Sequence, residues 1–82
     1  MKNYKIQLLK GSFTKQDAIG LLTKMVDAKI KFHEDKIHRT DNEEDVKMRE
    51  KRIRQLQKEL YEARVFIEKQ QKTIELNGEI VL

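Results

Sequence analysis

Apolar residues recur every three or four positions from about residue 15 to residue 76, and within that range the repeat breaks around residues 39–42. That spacing is the period of an amphipathic helix. The second half follows a regular heptad, the pattern of two helices packed along a seam. One seam position of the heptad holds Val46, Ile53, Leu60, Ile67 and Ile74. The other holds Arg49, Leu56, Ala63 and Gln70. Since the chain contains no proline, the pattern predicts one helix over 15–38 and a second over 43–76.

Capping residues mark where each predicted helix begins. Thr14 precedes the first helix and Asp17 follows three residues later, which is a variant of the capping box. Phe13, just before the cap, is placed to pack against Ala18. The second helix follows the sequence Thr-Asp-Asn at 40–42, and three acidic residues at its start complement the helix dipole.

The link between the helices, 39–42, is so short that the two must lie side by side and antiparallel. If the chain reverses near Thr40, the numbers of paired residues sum to roughly eighty. Apolar residues then face apolar residues along the seam. The expected pairs are Val26 with Ile53, Leu22 with Leu56, and Ile19 with Leu60.

The two termini read as short strands. Tyr4, Ile6 and Leu8 alternate with polar residues, which predicts a strand over 3–10 that is broken by Gly11 and Ser12. Asn77-Gly78 fits either a type I′ hairpin turn or a helix C-cap, and the cap is favoured because the heptad continues through Ile74. Residues 79–82 then form a second strand that pairs with the first.

The fold class predicted from these segments is mainly α. A long, coiled-coil-like helical hairpin carries short terminal strands paired at its base, in the order β-α-α-β. The 82 residues form one domain, near the lower size limit for a stable core, and the absence of cysteine excludes a disulfide or thiolate metal site. Oligomerisation is the remaining common way to stabilise such a chain.

Little in the sequence points to catalysis, a metal, a cofactor or a small-molecule substrate. His33 and His38 are five residues apart, about 140° around a helix, so they do not form the HExxH zinc motif. Ser12, the single serine, is a turn residue, and the glycines stand alone. No apolar run exceeds three residues, so we expect no membrane span and a cytoplasmic location. We expect a protein that is not an enzyme.

The predicted helices carry more apolar surface than one seam can cover. On the first helix a second stripe runs beside the seam from Ala18 to Phe32, and on the second helix further apolar residues lie outside the heptad. This excess favours a homodimer in which two hairpins form a four-helix bundle, although a helix of a different protein could also cover it. The candidate self-association residues are Leu21, Met25, Ala28, Phe32, Tyr61, Val65 and Phe66.

A basic stretch on the second helix supports an alternative function. Lys47, Lys51, Arg54 and Lys58 are spaced four, three and four residues apart, so they line one outward stripe. Together with Arg52 they could contact nucleic-acid phosphates. The net charge of +4 permits such a partner without requiring it, and charged stripes are common on solvent-facing helices. The leading interpretation is therefore an interaction protein, with nucleic-acid binding as the alternative.

Overall fold

The structure, a computed structural model, describes residues 3–82 and has the predicted order β-α-α-β. The elements are β1 (Lys5–Phe13), α1 (Lys15–Arg39), α2 (Glu43–Glu68) and β2 (Ile74–Val81). Contacts at both ends of the helix pair show that α1 and α2 are antiparallel. His33 contacts Arg49 near the link, and the Lys15 ammonium donates to the Glu68 carbonyl at the base, at 3.1 Å. The helical hairpin is therefore confirmed.

Side chains cap both helix N-termini, as predicted. The Thr14 hydroxyl accepts a hydrogen bond from the backbone N–H of Asp17 at 3.1 Å. At the second start, Asn42 is the cap, and its side-chain oxygen accepts from the N–H groups of Glu44 at 2.9 Å and Asp45 at 3.1 Å. Such caps typically contribute about 0.5–2 kcal/mol each. They fix the link between the helices to three residues, 40–42.

The second helix ends earlier than predicted, at Glu68 rather than at residue 76. The Gln70 side chain donates to the Phe66 carbonyl and closes the last turn, although the heptad placed Gln70 in the seam. Asn77 and Gly78 form neither a hairpin turn nor a helix cap, since both lie inside β2. The prediction was wrong because Ile74 is buried in either conformation, so the apolar repeat alone does not separate a longer helix from a returning strand.

The two strands form an antiparallel sheet along almost their whole length, from Lys5 opposite Val81 to Phe13 opposite Ile74. Strand β1 therefore passes through Gly11 and Ser12, where a break was predicted. Gly11 has a φ of 134°, a conformation that other residues rarely adopt, so glycine allows the strand to continue there. Strand β2 begins five residues before the predicted 79.

The hydrophobic core lies where the sheet meets the base of the hairpin, and it is small. Its buried members are Ala18, Ile67 and Ile74. Half-buried apolar residues of β1, α1 and β2 pack around them, namely Phe13, Ile19, Leu22 and Leu76. Ala18 is thus a core residue and not part of an outward stripe. Phe13 packs against the cluster that contains Ala18, in agreement with the predicted hydrophobic staple.

The folded chain is flat, with extents of 47 × 39 × 14 Å. Residues 3–82 contain two helices and one two-stranded sheet, so no third helix covers either side of the helix pair, which forms a single layer. Its accessible surface is 7064 Å², whereas a compact monomer of its mass exposes about 5,200 Å². Domains normally bury their apolar faces between two layers. Within residues 3–82, no helix has the length and apolar character that a bilayer crossing needs.

Candidate interaction surfaces

One side of α1 carries apolar residues that the rest of the chain leaves uncovered. Leu21, Met25 and Phe32 are spaced four and seven residues apart, so they lie on the same side of the helix. Leu21 is half-buried, while Met25 and Phe32 are 38% and 46% exposed. The seam residues beside them are half-buried or buried against α2. This stripe therefore remains open in the single chain.

Two residues of α2 extend the same surface. Met48 and Phe66 are 18 residues apart, which is five full helical turns, and they are 70% and 64% exposed. A shallow groove lined by Lys29 of α1 and by Met48 and Arg52 of α2 shows that these sides of the two helices form one face of the hairpin. We call this surface the apolar face, formed by Leu21, Met25, Phe32, Met48 and Phe66.

Cationic groups surround Phe32 on this face. The ammonium groups of Lys29 and Lys36 lie 4.8 and 5.7 Å from the centre of its ring, and the Arg49 guanidinium carbon lies at 5.9 Å. The edge of the ring also packs against His33, with centroids 5.6 Å apart. Cation–π contacts of this kind contribute about 0.5–1 kcal/mol at exposed sites. They orient Phe32 while leaving nearly half of it exposed.

Beneath Phe32, a polar cluster lies in the helix seam. The Arg49 Nε forms an ion pair with Asp45 at 3.2 Å, and its Nη1 lies 3.0 Å from Nδ1 of His33. Because a guanidinium only donates, Nδ1 must be the acceptor, and the proton of the neutral ring is then on Nε2. The His33 Nε2 is buried and has no hydrogen-bond partner in residues 3–82. An unpartnered group of this type costs about 1–3 kcal/mol.

The surroundings of His33 keep its imidazole neutral. Burial lowers the pKa of His33 from its usual 6.5, and the charges of Lys29, Arg49 and Arg52 lower it further, while Asp45 opposes the shift. Protonation at Nδ1 would also remove the acceptor that Arg49 uses. The heptad placed Arg49 at a core position of the seam, where an arginine is unusual, but the sequence gave no sign of its contact with His33.

In the described part of the chain, no three residues among His, Cys, Asp and Glu are grouped so that they could hold a metal ion. His33 is buried, whereas His38 is exposed. The two histidines therefore lie in different environments. The polar cluster at His33 contains one carboxylate, one guanidinium and one imidazole, and Arg49 contacts both Asp45 and His33.

The basic stripe lies on the outward side of α2, opposite the helix seam, and all of its members, Lys47, Lys51, Arg54 and Lys58, are exposed. Across residues 3–82 the single ion pair joins Asp45 to Arg49, so no carboxylate neutralises these four cations. The fifth residue predicted with them, Arg52, lines the groove beside Met48 instead.

The same four-and-three spacing continues from Lys58 to Tyr61 and Val65, so these two residues prolong the basic stripe. Tyr61 and Phe66 are five residues apart, about 140° around α2, and they point to opposite sides of the hairpin. The predicted self-association residues are thus divided between two surfaces. Leu21, Met25, Phe32 and Phe66 lie on the apolar face, Tyr61 and Val65 lie beside the cations, and Ala28 is exposed on the outer side of α1.

Sequence reasoning missed two groups of exposed apolar residues. Met48 has no apolar neighbour at helical spacing, so its place on the apolar face became visible only from the antiparallel packing. The second group lies at the far end of the sheet, where Tyr4, Ile6, Ile80 and Leu82 are all exposed. We call these four residues the sheet patch. The alternation in β1 had suggested half-burial instead.

No protein-family model, no curated protein and no solved structure matches this chain.

Proposed function

We propose that this chain is a non-enzymatic interaction protein that acts as a homodimer, in which the apolar faces of two hairpins pack into a four-helix bundle. The observation that carries the proposal is the exposure of Met25, Phe32, Met48 and Phe66 on one side of a helix pair that forms a single layer. A second copy would supply the missing layer. The cytoplasmic location expected from the sequence is part of the proposal, and fractionation of the host cells tests it.

The surface area of the chain supports this proposal quantitatively. The chain exposes about 1,900 Å² more than a compact monomer of equal mass would. A standard interface buries about 800 Å² on each partner. The excess is thus large enough for a dimer interface. Burying a Met or Phe side chain contributes about 1.5–3 kcal/mol, which is a large share of the stability of a small domain.

The chemistry of the apolar face favours an identical copy as the partner. Its apolar residues are bordered by cations around Phe32 and by acids such as Glu59 and Glu62 near Phe66. When two hairpins pack antiparallel, the cationic end of one face meets the acidic end of the other. An isologous contact of this kind is self-complementary and closes at two subunits.

Two matched substitutions on α2 test the bundle. Met48 and Gln57 are both exposed and nine residues apart, so they lie on opposite sides of the helix. Met48→Lys would bury a charge in the proposed interface, whereas Gln57→Lys would add the same charge outside it. Light scattering should give the same assembly mass for the native chain and for Gln57→Lys, and a smaller mass for Met48→Lys at equal concentration. A monomeric native chain, or equal association of the two variants, overturns the proposal.

The alternative function, nucleic-acid binding, is supported by the unpaired cations of the basic stripe and by the exposed Tyr61 that continues it. Four phosphate contacts would give a salt dependence with a slope of about −3.6 in a plot of log affinity against log salt for duplex DNA. Tyr61 could stack on a base of a single strand, which typically contributes about 1–3 kcal/mol. The stripe also leaves the apolar face free for dimerisation.

Charge reversal at two sites separates a specific stripe from general basicity. Lys51→Glu with Lys58→Glu changes the stripe, and Lys5→Glu with Lys10→Glu makes the same change in net charge on the sheet. Fluorescence anisotropy with a labelled oligonucleotide at low salt should show lost affinity for the first pair and retained affinity for the second. Equal losses, or no binding by the native chain, would exclude this function.

A further inference from the structure

The sheet has one entirely apolar face, and a bulge in β1 maintains it. Near the helices, this face holds the opposed pairs Phe13–Ile74, Gly11–Leu76 and Leu9–Gly78. In a regular strand, side chains alternate, so Ile6 would point away from the face that holds Leu9. The register shifts by one residue between Gln7 and Leu9, where Leu8 is the extra residue. Ile6 then faces Ile80 on the same side as Leu9.

The other face of the sheet is polar apart from Val81, which lies opposite Lys5 and is 55% exposed. Ser12 hydrogen-bonds to Glu75 across the strands, and the Gln7 side chain donates to the Asn77 side-chain oxygen at 3.0 Å. The bulge therefore places Ile6 and Tyr4 on the face that holds Leu9 and Phe13, while the opposite face holds polar residues and Val81. The residues whose side is changed by the bulge lie in the half of the sheet that the helices do not cover.

Beyond Leu9, nothing in residues 3–82 covers the apolar side. The sheet patch extends this face, with Ile6 opposite Ile80 and with the Leu82 N–H donating to the Tyr4 carbonyl at 2.8 Å. An isolated two-stranded sheet is marginally stable in water. A bulge disrupts the ladder, and turning apolar side chains to one side gains no stability unless that side becomes buried.

The charges along the strands disfavour edge-to-edge pairing of two copies about a two-fold axis. Strand β1 carries Lys5 and Lys10 on its polar face, and β2 carries Glu75 and Glu79. Pairing β1 with β1 of a second copy would oppose lysines, and pairing β2 with β2 would oppose glutamates. Like charges directly opposite each other destabilise a strand pair. Stacking the apolar faces instead leaves all four charges in water.

We infer that the sheet patch is a second interface of the assembly, where it packs face to face against the sheet patch of another copy of this chain. This inference rests on the self-association proposed above and adds a site on a different element. The excess accessible surface of about 1,900 Å² is more than twice the area of about 800 Å² that a standard interface buries on each partner, so it is large enough for both contacts. Two stacked sheets lie about 10 Å apart and bury their facing side chains between them.

Because the native chain has no cysteine, single cysteines can report burial at chosen positions. Ile80→Cys probes the sheet patch, and Glu79→Cys, the adjacent residue on the polar face, is its matched control. Met25→Cys probes the apolar face of the hairpin. Each variant is alkylated with a small thiol reagent over a range of protein concentrations. At high concentration we expect Ile80→Cys to react about tenfold more slowly than when diluted, and Glu79→Cys to react at a constant rate.

The outcomes distinguish the two interfaces. Protection at both Ile80→Cys and Met25→Cys supports both contacts. Protection at Met25→Cys alone overturns the sheet interface and leaves the bundle standing. Protection at Ile80→Cys alone supports the sheet interface and overturns the bundle. No protection at either position overturns both.

Discussion

The replacement of Phe66 by alanine provides a quantitative test of the apolar face. Phe66 is 64% exposed in the single chain, so most of its surface is available to a partner. Complete burial of such a side chain contributes about 1.5–3 kcal/mol, and the exposed part therefore contributes about 1–2 kcal/mol per chain. A symmetric dimer contains the residue twice, so Phe66→Ala should weaken association by about 2–4 kcal/mol. The dissociation constant should rise roughly 30- to 700-fold.

Tyr61 provides the matched control for this measurement. It lies on the same helix, is 69% exposed, and points to the opposite side of the hairpin. Tyr61→Ala removes an aromatic ring of similar area and raises helix propensity by a similar amount, so both effects cancel in the comparison. Sedimentation velocity over a dilution series gives both dissociation constants. Equal changes for the two variants, or a larger change for Tyr61→Ala, would refute the assignment of the interface to the apolar face.

Three further predictions concern the single chain. The pKa of His33 is below 6.5 in the folded state, so the unfolded chain binds more protons at any pH near or between the folded and unfolded pKa values. The free energy of unfolding should therefore fall as the pH drops below about 6.5. Urea denaturation at several pH values measures this fall, which should be smaller in His33→Leu. Ile67→Ala should destabilise the fold by about 2–5 kcal/mol because Ile67 is buried in a very small core. Urea unfolding followed by circular dichroism measures this loss, and a loss below about 1 kcal/mol would contradict the core described here. Gly11→Ala should destabilise the fold by about 1–3 kcal/mol because Gly11 has a positive φ. Gly20→Ala should stabilise it by about 1 kcal/mol because an added methyl group meets open space in α1. Melting temperatures that shift in the same direction for both variants would refute this reasoning.

The helical hairpin could be predicted from the sequence because its signals are local. The caps at Thr14 and Asn42 and the heptad from Val46 to Ile67 each depend on residues close together in the chain. The end of α2 could not be predicted in this way. Ile74 continues the heptad, yet it pairs with Phe13, some sixty residues away, and that long-range contact decides its conformation.

The composition of the surfaces was harder to predict than the helices themselves. The stripe containing Met25 and Phe32 followed from helical spacing, because three apolar residues repeat on one side of α1. Whether Phe66 or Tyr61 shares a face with that stripe depends on how the two helices are rotated against each other. That rotation is fixed by contacts such as the one between His33 and Arg49, which no local pattern signals.

The bulge at Leu8 shows the same limit within a strand. The residues from Tyr4 to Leu8 alternate with one phase, and those from Leu9 to Phe13 alternate with the other. Read locally, the change of phase looks like the end of a strand, and a break at Gly11 and Ser12 was expected. The partner strand shows that both halves belong to one element joined by an extra residue.

The mass of the native chain in solution tests the central claim most directly. Sedimentation equilibrium measures it without a label or a substitution, from micromolar to millimolar concentration. We predict a reversible shift from the monomer mass of 9.8 kDa to an assembly of at least twice that value as concentration rises. A constant mass of 9.8 kDa over the whole range would mean that the exposed residues around Met25 and Phe66 do not drive self-association.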